Sequence, residues 1–139
     1  MRWRRIGIGA GVVLLAIQLV PVPRENPPID GEVPADPAVR AILERACYDC
    51  HSHEVRWPWY GYVAPVSWLL AYDVHHAREH LNFSTWNAYD DSKRRKKLED
   101  AWEEVEEGEM PLFFYVWLHP DAALDEGDRA TLRAWTRAE

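Results

Sequence analysis

Apolar residues recur at helical spacing along most of this chain, and no stretch alternates polar with apolar long enough to make a strand. Asp36 reads as an N-cap and Pro37 as a first helical residue, after which Val39, Ile42, Leu43 and Ala46 share one face. A second helix begins near Pro65, with Val66, Leu70, Val74, Ala77 and Leu81 as its inward stripe. A third, from about Ser92 to Gly108, offers only Leu98, Ala101, Trp102 and Val105, which places it at the surface. Gly108 is a natural stop for it. The last runs from about Asp125, with Leu132 and Trp135 turned inward. The expected fold is all-α, without internal repeats.

Two segments precede these helices. "MRWRR" carries three arginines and no acid, and Ile6–Val22 is free of charge. As a helix that run is about 26 Å long, at the short limit for a bilayer span. A cleaved signal peptide fits less well, because Val20, Pro21, Val22 and Pro23 stand where small residues would mark cleavage. Residues 1–22 are therefore expected to be an uncleaved, single-pass transmembrane anchor in an inner membrane. The arginines hold its start in the cytoplasm and the rest lies in the periplasm or otherwise outside. Residues 23–36 form a proline-rich linker. As a stiff spacer the proline-rich stretch Pro21–Pro37 could reach up to about 50 Å; the alternative is that it lies along the domain. Residues 37–139 are the domain proper.

Composition narrows the function. The chain is 139 residues long, 47% hydrophobic, with eight tryptophans, six tyrosines and a net charge of −7. The charge is more negative still once Arg2, Arg4 and Arg5 are set aside. So acidic a body is not a nucleic-acid binder and suits a basic partner. Its aromatic load suits a bound apolar group that would enlarge the core of a small domain.

Candidate chemistry gathers in "RACYDCHSHEVRWPWYGY", Arg45–Tyr62, which holds both cysteines. Two cysteines two residues apart with histidine next form the pattern that attaches haem covalently. Each thiol adds to one vinyl group of the porphyrin, whose edge sets the distance between them, and His51 can bind iron as the proximal ligand. Three rivals remain: a structural disulfide, a thioredoxin-like redox pair and a zinc site drawing on distant histidines. The disulfide would constrain little chain and leave His51 unexplained, the redox pair wants strands, and zinc wants a second ligand pair. The sixth iron position points to Met110, the only methionine besides Met1, on the short loop between Gly108 and Pro111. A gap-filling core methionine is the plainer alternative.

The stretches "ACYDCHSHEVRWPWY", "APVSWLL", "HLNFSTW", "GEMPL" and "WLHPDA" together resemble the haem-binding domain family of small, membrane-anchored bacterial proteins related to c-type cytochromes. The resemblance implies a cytochrome-c-like helical domain around one covalent haem c. It makes Cys47 and Cys50 the thioether residues, His51 the proximal ligand and Met110 the distal one.

Other residues complete the set. His53 is expected at the surface. His76 and His80 share a helix face at a spacing that also suits zinc. Any of His75, His76, His80 or His119 could replace Met110, with His119 the best placed of them. Trp57, Trp59 and Trp68 are expected to wall the haem, from a pool that adds Tyr60, Phe83, Trp86, Phe113 and Trp117. The third helix opens on Lys93–Lys97 and closes on Glu103–Glu109, against the preference of the helix dipole. A pair between Arg95 and Glu99 should recover part of that cost. The acidic end suits a basic redox partner. The expected function is one-electron transfer without catalysis, since no nucleophile–base pair or carboxylate dyad stands out. The alternatives are a haem-based small-ligand sensor and an accessory haem-binding module.

Overall fold

The computed structural model describes residues 2–138. Among them are seven α-helices and no strand: α1 (Arg2–Ile17), α2 (Pro37–Ala46), α3 (Tyr48–His51), α4 (Val66–His80), α5 (Asp91–Glu107), α6 (Phe113–Leu118) and α7 (Glu126–Ala138). The all-α expectation holds.

The caps explain the boundaries. Asp36 accepts hydrogen bonds from the amides of Ala38 and Val39 at 2.8 and 2.9 Å, and Pro37 follows as the first residue of α2. Asp90 does the same for Lys93 at the start of α5. Gly108 ends α5 in the left-handed region at φ 81°, a conformation that costs a side chain-bearing residue about 1–2 kcal/mol. Lys96 and Asp100, 3.1 Å apart, supply the i, i+4 support in α5 that the sequence suggested for Arg95 and Glu99.

Helix α2 packs on α3 and α7, α5 on α7, and α3 on α4. Val39, Leu43, Phe83, Leu98 and Leu132 are almost wholly buried where these elements meet. Helix α4 departs from its expected stripe: Val74 and the capping Leu81 are buried, but Val66 is exposed and Leu70 and Ala77 are only half-covered. Its first half packs on the short 3-10 turn Trp59–Tyr62 rather than on the main core.

The N-terminal segments also differ from expectation. Helix α1 stops at Ile17, and residues 18–20 close tight turns onto Leu15, Ala16 and Ile17. Among the described residues no helix is long and apolar enough to cross a membrane, so the 1–22 span is not seen as one continuous helix. Pro21 and Pro23 shorten it, since a proline disfavours helical geometry in the residue before it. The linker is laid along the domain rather than held off it. Asn26 bonds the Val55 carbonyl, the Asp30 amide donates to Ser84, and the Val33 amide donates to Phe83. Val33 is buried.

Candidate functional site

Helix α2 ends at Cys47, whose amide donates to the Leu43 carbonyl at 2.9 Å. The single turn α3 begins at once, with the Cys47 carbonyl accepting from Cys50 at 3.1 Å and from His51 at 2.9 Å. That turn brings Cys50 back to the side of Cys47, since residues three apart share a helix face. Both thiols are free and half-exposed at most. Burial pushes both up to about 12, assisted at Cys47 by the neighbouring Cys50 and at Cys50 by Asp49.

His51 is oriented by the backbone. Its Nδ1 lies 3.0 Å from the Leu81 carbonyl. A carbonyl only accepts, so Nδ1 carries the hydrogen and Nε2 keeps its lone pair, the form in which imidazole binds a metal. Burial holds the His51 pKa below the usual value, opposed in part by that carbonyl.

Cys47, Cys50, His51 and Met110 all line one cavity of about 550 Å³. Its walls come from α2 and α3, the inner side of α4, the second half of α5, the Met110–Leu112 loop and α7. Met110 is placed by the end of α5: its amide and that of Glu109 both donate to the Glu104 carbonyl, at 3.1 and 3.0 Å. The side chain packs against the core.

The histidines divide. His76 and His80 line the cavity; His80 stands near enough to His51 to disfavour its protonation, and the buried Nδ1 of His76 has no hydrogen-bond partner. His119, the favoured substitute for Met110, lines a separate hollow of about 70 Å³ instead. There its Nδ1 donates to the Tyr115 carbonyl at 3.1 Å, and Tyr60 Oη lies 3.2 Å from its Nε2. His75 is exposed beside Glu79. His53 bonds the Pro28 carbonyl and Asn82, which makes it a clasp for the linker. Among the described residues no three His, Cys, Asp or Glu side chains gather to hold a metal ion, which leaves the zinc alternative without a second ligand pair.

The aromatic expectation needs correction. Trp57, Trp59 and Trp68 do not line the cavity: Trp57 faces the smaller hollow, Trp59 is 78% exposed and Trp68 is exposed. Closeness in sequence misled because the chain turns away after Ser52. The aromatic walls are Phe83, Trp102, Tyr115 and Trp135. Trp102 and Trp135 were detectable from the inward stripes of α5 and α7, whereas Tyr115 follows from no periodic pattern.

The residues suit a haem. The volume falls within the range of about 300–1,000 Å³ usual for small-molecule sites. Two thiols, a neutral imidazole and a thioether border it, between aliphatic and aromatic walls. Polar groups, among them Lys97, Asp100 and Thr136, are present as well.

The model of the haem-binding domain family matches residues 12–138, and the chain belongs to that family. No curated protein and no solved structure matches it.

Proposed function

We propose that this member of the haem-binding domain family is a membrane-tethered, cytochrome-c-like electron carrier with one covalent haem c. The observation that carries the reading is the convergence of Cys47, Cys50, His51 and Met110 on one apolar cavity. Cys47 and Cys50 would hold it through two thioether bonds, and His51 and Met110 would bind its iron. Bound there, haem would supply one-electron redox chemistry at a potential set by its axial ligands and burial.

The chain's own groups have distinct tasks. The Leu81 carbonyl fixes the His51 tautomer and ring, which favours a stable proximal bond. Phe83, Trp102 and Trp135 supply aromatic wall against which a flat ring would pack. Met110, a soft thioether, would favour the reduced iron and raise the potential. The acidic end of α5 supports docking of a basic partner on the same side as Met110.

The tether is the apolar N-terminal segment. Ile6, Ile8, Val12, Leu15 and Leu19 are all more than half exposed, behind Arg4 and Arg5. A bilayer would cover them, with the domain on the outer side of an inner membrane. Carrying electrons requires no substrate transformation, and we assign no catalytic residue.

An optical spectrum of purified protein from a strain able to mature c-type cytochromes, with a haem stain after denaturing electrophoresis, tests the reading. Haem retained on the denatured chain and a spectrum of six-coordinate iron are expected. A colourless chain at apoprotein mass would overturn it. Ready uptake of carbon monoxide by the reduced protein would favour a sensor.

A further inference from the structure

The molecule has one surface that neither the cavity nor the acidic helix accounts for. Residues 57–72 and 110–118 contain no charged side chain. Trp59, Tyr62 and Tyr72 in the first stretch are 78%, 58% and 59% exposed, and Phe113 and Trp117 in the second are 84% and 81% exposed. Helix α6, Phe113–Leu118, has no buried residue at all. Apart from Trp3, every exposed aromatic of the described residues lies in these two stretches. They adjoin one another: Tyr60 reaches His119 at 3.2 Å, and Leu70 faces Phe114 and Leu118 across the small hollow. An apolar face of this kind on a folded domain marks a contact surface.

Its position relative to α1 identifies what it contacts. Just beyond the end of α1, the Gln18 side-chain amide donates to the Ala64 carbonyl at 3.1 Å and accepts from the Ala64 amide at 2.9 Å. Six residues later Arg24 donates to the Gly61 carbonyl at 3.0 Å, with its guanidinium 4.6 Å from the centre of the Tyr62 ring. The outer end of the apolar segment is thus clamped to the middle of the aromatic stretch. We propose that this face is seated in the interfacial layer of a lipid bilayer, as a second membrane contact beside the tether. The proposal rests on the reading of α1 as a membrane anchor.

Three physical arguments agree. Tryptophan and tyrosine favour the interfacial layer, where a ring meets both acyl chain and water. Helix α1, at 16 residues, spans about 24 Å. Against a hydrocarbon core of about 30 Å, so short a segment draws whatever flanks it toward the membrane. The two stretches themselves carry no base, and of the neighbouring Arg24 and Arg56 the second is paired with Asp49, so the attraction is apolar rather than a pull on anionic headgroups.

Photo-crosslinking tests this on the full-chain holoprotein, one copy per phosphatidylcholine nanodisc, with a diazirine-bearing phosphatidylcholine and peptide mapping by mass spectrometry. Lipid adducts are expected on the peptides spanning 57–72 and 110–118 as well as on α1, unchanged in high salt. Adducts confined to α1 overturn the seated face and leave the anchor standing; no adducts on α1 overturn both. Face adducts that vanish in high salt overturn the apolar seat. A dimer by native mass spectrometry that shields the two stretches assigns the face to a second copy and overturns the proposal. Trp59→Ser with Trp117→Ser, two exposed positions, should cut the face adducts several-fold while haem content and the α1 adducts stay constant. Face adducts at the wild-type level in that variant would overturn the aromatic contribution.

Discussion

The wall bearing Cys47, Cys50 and His51 and the wall bearing Met110 enclose the same cavity but are built differently. The first is knit from three packed helices. Ser52 Oγ donates to the Tyr48 carbonyl at 2.8 Å, Arg78 donates to the Ser52 carbonyl at 2.9 Å, and Leu81 holds the imidazole. Ser52 is wholly buried. The second is held more lightly: Met110 follows a glycine cap and a shared carbonyl, and the helix after it has no buried residue, though Tyr115 Oη ties it back to Asp49 at 2.8 Å. On the proposed reading, retention of the cofactor would belong to the first wall, and adjustment of its properties to the second.

Substitutions can break or sharpen this contrast. The largest effect is expected from His51→Ala, which removes the group that the first wall exists to hold. Haem stain per chain should fall to a small fraction of wild type; normal loading would shift retention to the thiols alone. Met110→Ala should spare loading but abolish sulfur-to-iron charge-transfer absorption. It should also lower the reduction potential by a sizeable part of the roughly 0.8 V that axial ligands command. An unaltered spectrum would reassign the distal position to His76 or His80, both in the cavity wall.

Gly108→Ala is a milder challenge to the second wall. A methyl group there meets no neighbouring atom, so the cost is conformational, about 1 kcal/mol in denaturant unfolding. The potential should shift slightly with it, because Met110 is two residues on. The smallest effect is expected from reversing Glu103, Glu104, Glu106 and Glu107 to lysine, all exposed. Electron exchange with a basic partner should slow several-fold at low salt and converge with wild type at high salt. Rates indifferent to the reversal would remove the acidic end of α5 from docking.

Much of this was legible in the residues. Asp36 with Pro37, and Gly108, mark helix ends by local chemistry, and the structure places those ends where the chemistry puts them. The Cys47, Cys50, His51 cluster is local as well, and Met110 stood out by being nearly alone of its kind. What failed depended on tertiary placement. Trp59 has the same hydrophobicity whether it meets a porphyrin or the outside, so nearness to His51 along the chain could not tell which. His119 was judged by distance from Met110 in sequence, but the turn of α6 directs it to the Tyr60 side. The linker looked like a spacer by composition; its hydrogen bonds to the His53 ring and to the Val55, Phe83 and Ser84 backbones involve partners that no local pattern reveals.

Helix α7 contributes Leu132, Trp135 and Thr136 to the cavity, and the Trp135 indole nitrogen closes on the Pro34 carbonyl at 2.9 Å. That bond joins α7, the linker and the cavity wall, so loosening the chain around Pro34 would loosen the Trp135 side of the cavity with it.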